Sequence, residues 1–141
     1  MKSFPSAEFG NPSAVPSGMK PKILIVDDLK DNVLTMSRYF AIHGFEVDFA
    51  SEKEEAEALI SANNYAVVIT DLQLTPVRSN EGLEIAQLLH HESPETKVII
   101  LTAYGTDEVE REAGRFGVVS FLKKPVSLSI LRQAVEETLG R

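Results

Sequence analysis

The stretch Lys22-Ile23-Leu24-Ile25-Val26-Asp27-Asp28 decides the fold. Its four-residue apolar core is too short for a helix and shows no polar alternation, so it suits a strand covered on both faces. Two runs repeat the pattern, Val67-Val68-Ile69-Thr70-Asp71 and Val98-Ile99-Ile100-Leu101-Thr102. Weaker apolar runs lie at 46–50 and 118–123. Strands are therefore expected over 22–27, 46–50, 66–71, 97–102 and 118–123, the first, third and fourth being central. Longer amphipathic stretches over 31–43, 53–63, 82–91, 107–116 and 128–139 alternate with them as helices. Strand followed by helix five times predicts an α/β fold, a doubly wound five-stranded parallel sheet with five helices.

Two of the helices carry particular expectations. The last places Leu128, Leu131, Val135 and Leu139 at helical spacing, an apolar face that closes the fold. The fourth has a stripe of only Val109, Ala113 and Phe116, contains Gly114 and carries four acids, so it is the expected moving part.

The chain has 141 residues, 14 Lys and Arg against 21 Asp and Glu, and a net charge of −7. A 43% hydrophobic content is enough for one core and excludes disorder over most of the length. There is no Cys, which removes disulfides, thiolate catalysis and Cys-ligated zinc and fits a cytoplasmic protein. No apolar run approaches the roughly 18 residues of a membrane span. Lys2 is followed by Pro5, Pro12 and Pro16 without an apolar stretch, so no secretory signal is expected and the mature chain should begin near Met1. Residues 1–20 hold four Ser and three Pro and read as a flexible tail; residues 21–141 read as one domain. The acidic balance repels phosphate backbones, and Lys123-Lys124 is the only basic cluster, so direct nucleic-acid binding is not expected.

In open parallel sheets the ligand site lies beyond the carboxyl ends of the strands. The first strand ends in Asp27-Asp28, the third in Asp71, the fourth in Thr102, and the fifth runs into Lys124-Pro125. Singly, each has a plain structural alternative: a helix cap or dipole partner for Asp27 and Asp28, a solvated loop start for Asp71, a β-former for Thr102, a solvated surface lysine for Lys124. Their convergence on one rim is the functional signal. Three adjacent carboxylates repel, and protonation or a cation must offset that. Oxygen-only donors suit Mg²⁺, and a Lys with a Thr hydroxyl could grip phosphoryl oxygens. The chemistry that follows is metal-assisted phosphoryl transfer with one carboxylate as nucleophile.

The segments ILIVDD, VVITDLQL, ILTAYG and FLKKP, in this order, resemble the response regulator receiver domain of two-component signalling over residues 21–141. The resemblance implies strand order 2-1-3-4-5, with Asp71 as phosphoacceptor for a sensor histidine kinase or phosphotransfer protein. It implies Mg²⁺ held by Asp28 and Asp71, by Asp27 through water, and by the backbone carbonyl of Gln73. Thr102 and Lys124 would bind the phosphoryl oxygens, Thr102 and Phe121 would form the switch, and the Lys124-Pro125 peptide would be cis. Gln73 and Tyr104 would stand where the family tunes phosphoryl lifetime. The implied protein is no enzyme beyond its own aspartyl phosphorylation and dephosphorylation. A downstream effector or output domain would read the helix 4, strand 5 and helix 5 face, and a phosphorylation-dependent dimer is among the partner states this allows.

Two features depart from the family pattern. The segment from Asp71 to Gly82 looks about three residues longer than usual, with Pro76 one place late and Glu81-Gly82 where Asp-Gly is common. Phe121 lacks the hydroxyl of the commoner Tyr. Among rival readings, a flavodoxin-like cofactor protein needs a phosphate cradle where Asp27-Asp28 would repel phosphate. A Mg²⁺ phosphatase would usually pair acids two apart after the first strand, and Asp28-Leu29-Lys30 does not. A phosphorylation-independent interaction module on the same fold is the main alternative. His43, His90 and His91 are expected at helix C-termini, complementing the dipole.

Overall fold

The computed structural model describes residues 20–75 and 80–141. Except for Lys20, the expected tail lies outside the described residues, as does Pro76. Five strands, β1 (Lys22–Val26), β2 (Glu46–Ala50), β3 (Val67–Asp71), β4 (Lys97–Thr102) and β5 (Val118–Lys123), alternate with five helices. The helices are α1 (Lys30–Ile42), α2 (Lys53–Ala62), α3 (Glu81–Glu92), α4 (Asp107–Arg115) and α5 (Leu128–Thr138). All pairings are parallel and the order is β2-β1-β3-β4-β5, as expected.

The apolar runs are continuous because each central strand buries both faces. Leu24, Val26, Val68 and Ile100 point to the side covered by α2, α3 and α4. Ile23, Ile25, Val67, Ile69, Ile99 and Leu101 point to the side of α1 and α5, where Met36, Phe40, Leu131 and Val135 meet them. Edge strands β2 and β5 are only half-buried. Among the described residues no helix is long and apolar enough to cross a membrane.

Element ends differ from the expected ones for local reasons. Asp27 leaves β1 because its Oδ1 accepts the Leu29 N–H at 2.8 Å and bends the chain into α1. Ala66 precedes β3, though its N–H still donates to the Lys22 carbonyl at 2.8 Å. Helix α1 starts at Lys30, α3 runs from Glu81 to Glu92, and α5 ends at Thr138. His90 and His91 do lie in the last turn of α3, and His43 caps α1. Helix α4 buries only Ala113, with Val109 and Phe116 partly covered.

Candidate functional site

Four strand ends deliver the rim. Asp27, just past β1, is 1% exposed, Asp71 at the end of β3 is 5% exposed, and Asp28 is open to solvent. One carboxylate oxygen from each of these three lies within 4.8 Å of the others. The Lys124 Nζ stands 2.8 Å from Asp71 Oδ1 and 3.9 Å from Asp27 Oδ2. The Lys124 N–H donates to the Thr102 carbonyl at 2.8 Å, and the Lys124–Pro125 peptide is cis. Neither Asp27 nor Asp28 caps α1: Leu29 holds the N-cap position without a side-chain bond.

The electrostatics are those of a crowded anionic site. Burial pushes the Asp71 carboxyl up, Lys124 opposes this, Asp27 adds to it, and the balance is about 7 against an ordinary 3.8. Burial alone would pull the Lys124 ammonium down. Close-range attraction to Asp71, with Asp27 and Asp28, outweighs that and holds it above its ordinary 10.5.

Asp71 Oδ1 is buried and, despite the close ammonium, no donor approaches it at a hydrogen-bonding angle. A buried carboxylate oxygen in that condition, with two neighbouring carboxylates, is a donor set that fits Mg²⁺. The Gln73 carbonyl follows Asp71 by two residues, and the Gln73 side chain turns away to donate to the Thr75 carbonyl at 2.9 Å. Beside the cluster a cleft of about 500 Å³ opens between α1 and α5, lined by Asp27, Asn32, Met36, Lys124, Pro125 and Leu131.

Thr102 is buried and its Oγ1 accepts the Tyr104 N–H at 3.1 Å, while Tyr104 itself is 86% exposed. The half-buried Phe121 ring lies against Gly105. A Cβ built there would stand 2.6 Å from the ring and 2.8 Å from the Thr102 Cγ2. Thus Thr102 and Phe121 both border Gly105, where no side chain intervenes.

Three participants escaped the sequence reading. Gly105 carries no signal apart from its smallness. Asn32 places its Nδ2 3.5 Å from Asp27 Oδ2 and reads as an ordinary helix residue. Glu81 is 2% exposed, with Oε1 accepting the N–H groups of Leu74 at 2.8 Å and Thr75 at 3.2 Å. Its place before Gly82, at the end of a long loop, was the available signal. Gly82 is required by contact: a Cβ would fall 2.4 Å from the Asp71 carbonyl oxygen.

The response regulator receiver domain model matches residues 23–136. The chain belongs to this family. This receiver domain is 28% identical over 118 residues to the photosynthetic apparatus regulatory protein RegA of Rhodovulum sulfidophilum, covering 84% of this chain and 63% of RegA. The matched segment thus spans under two thirds of that relative's length. Among solved structures, a receiver domain protein from Methanospirillum hungatei superposes with a TM-score of 0.80 at 25% identity, covering 86% of this chain and 94% of that one. A response regulator from Burkholderia pseudomallei, solved with a phosphorylated aspartic acid and a calcium ion, aligns at 25% identity and a TM-score of 0.75. It covers 86% of this chain and 69% of that one.

Proposed function

We propose that this receiver domain accepts a phosphoryl group on Asp71 from the phosphohistidine of a sensor histidine kinase or phosphotransfer protein, in the cytoplasm, in a Mg²⁺-dependent reaction. The observation that carries the reading is the buried Asp71 carboxylate with Lys124 Nζ at 2.8 Å inside a three-carboxylate cluster. The phosphorylated aspartate of the Burkholderia protein supports it.

Asp28, Asp71 and the Gln73 carbonyl would hold the cation, with Asp27 acting through water. The cation supplies charge neutralisation for the carboxylates and the incoming phosphoryl oxygens. An oxygen of the Asp71 carboxylate attacks phosphorus, the O–P bond forms, the donor's N–P bond breaks, and the leaving imidazole takes a proton from water. Lys124 faces the phosphoryl oxygens as a fixed positive charge. Thr102, whose hydroxyl is otherwise idle except toward Tyr104, donates to another of them. Asp27 keeps Lys124 charged and in place.

Phosphorylation then adds charge and acceptor oxygens where Thr102 and Lys124 can bond them. Thr102 draws toward the phosphoryl group, Phe121 follows, and a downstream effector or output domain reads the α4–β5–α5 face. The test is intact mass after incubation with a small phosphodonor and Mg²⁺. One phosphoryl adduct is expected, absent from Asp71→Asn and from metal-free samples. A folded, Mg²⁺-exposed chain that stays unmodified would overturn the reading in favour of a phosphorylation-independent interaction module.

A further inference from the structure

The loop leaving the site is fastened on both sides of Gln73 by the first two residues of α3. Before Gln73, the Gly82 N–H donates to the Leu72 carbonyl at 2.8 Å, and the missing Gly82 side chain lets the helix end press on the Asp71 backbone. After Gln73, Glu81 Oε1 accepts from Leu74 and Thr75. Glu81 reaches back seven residues to do so, and at 2% exposure its carboxylate has exchanged water for these amides. A buried carboxylate is stable only with such donors, so the bonds are obligatory for the residue and restrictive for the loop.

A backbone carbonyl in an unfastened loop samples many orientations, and ordering it on metal binding is entropically opposed. A carbonyl between two fixed peptides is already ordered. We infer that Glu81 is a positioning residue for the cation: by holding Leu74 and Thr75 it fixes the Gln73 carbonyl beside the carboxylate cluster. This rests on the proposed function, which gives that carbonyl to Mg²⁺. Groups outside a ligand shell that orient its ligands commonly alter metal affinity by about 10- to 100-fold. Glutamate's reach matters here, since aspartate would stop one methylene short of the Leu74 and Thr75 amides.

The test compares the full chain with Glu81→Gln, Glu81→Ala and Glu81→Asp. Mg²⁺ affinity is measured by calorimetry, and amide exchange over residues 72–75 is measured without metal. Gln keeps an acceptor oxygen at the same reach, so E81Q should bind Mg²⁺ within about threefold of the parent, whereas E81A and E81D should bind about 10-fold or more weakly. The latter two should also exchange faster at Leu74 and Thr75 before any metal is added. If E81A does not fold, E81D carries the comparison, because it keeps the charge and shortens only the reach. Folded E81A or E81D binding Mg²⁺ within about twofold of the parent would overturn the inference, as would E81Q binding as weakly as E81A. Those outcomes leave parental Mg²⁺-dependent phosphorylation intact, whereas a parent chain that neither binds Mg²⁺ nor takes up phosphate overturns the proposed function together with this inference.

Discussion

Asp71 sits where its charged form is disfavoured, and this makes the acidic cluster a measurable liability. Its carboxyl titrates near 7 in the folded chain against 3.8 ordinarily. The unfolded chain therefore loses this proton first, and folding stability falls as pH rises from about 4 to about 7. The penalty at neutral pH is bounded at roughly 4 kcal/mol. Metal-free Asp71→Asn should accordingly melt at least about 5 °C above the parent at pH 8 and lose most of the advantage at pH 4; equal melting points at pH 8 would contradict this. Gly82 gives a second prediction of opposite sign. The added methyl of Gly82→Ala meets backbone at 2.4 and 2.9 Å, which cannot rotate away, so the variant should lose about 3 kcal/mol in urea unfolding. These residues also mark what was legible beforehand. The acids, Thr102 and Lys124 stand out in the sequence because chemistry-bearing residues end apolar runs. Gly105 does not, and Glu81 shows only its place before Gly82, because their roles consist of distances to backbone and ring atoms that no local pattern encodes.

Helix α4 differs from the other helices in how little of it is buried. Ala113 is its one fully covered side chain, and its start depends on Thr106 Oγ1 accepting the Val109 N–H at 3.1 Å. Helix stability in proteins comes mainly from an apolar face, and here that face is three residues wide. Amides of α4 should thus exchange through local opening well before those of β1, β3 and β4, which require global unfolding. Thr106→Ala removes the cap at a cost of about 1 kcal/mol and should speed exchange in α4 while leaving α1 and α5 unchanged. Uniform acceleration across the molecule would show that α4 opens only with the whole fold. The same contrast explains the legibility of elements. Runs such as ILIV declare themselves through continuous apolarity, whereas the ends of β1 and α3 depend on the Asp27 turn and the Glu81 contacts, which lie between elements.

For the whole molecule, the question is whether chemistry at Asp71 reaches the surface that a partner reads. The path is short and continuous. Thr102 Oγ1 is engaged by the Tyr104 N–H, and the Thr102 methyl and the Phe121 ring converge on Gly105, at the entry to α4. If Thr102 turns its hydroxyl to a phosphoryl oxygen, the Tyr104 amide loses its acceptor and the space beside Gly105 changes shape, so Phe121 must repack. Bonds of Thr102 and Lys124 to a phosphoryl group on Asp71, at about 1.5–3 kcal/mol each, would supply most of the roughly 5.5 kcal/mol needed to move a population from 1:99 to 99:1. The weakly held α4 is the element such a sum can displace, whereas β2 lies on the far side of two buried strands. Phosphorylation with Mg²⁺ should therefore change exchange over residues 103–116 and 118–123 and leave 46–50 unaltered. Gly105→Ala tests the path itself. Its methyl occupies the space between Thr102 and Phe121, so the variant should still take up phosphate but show the ring displaced beforehand and little further change over 103–116 on phosphorylation. An unchanged response in Gly105→Ala would mean that the signal leaves Asp71 by another route, through Lys124 and β5 alone.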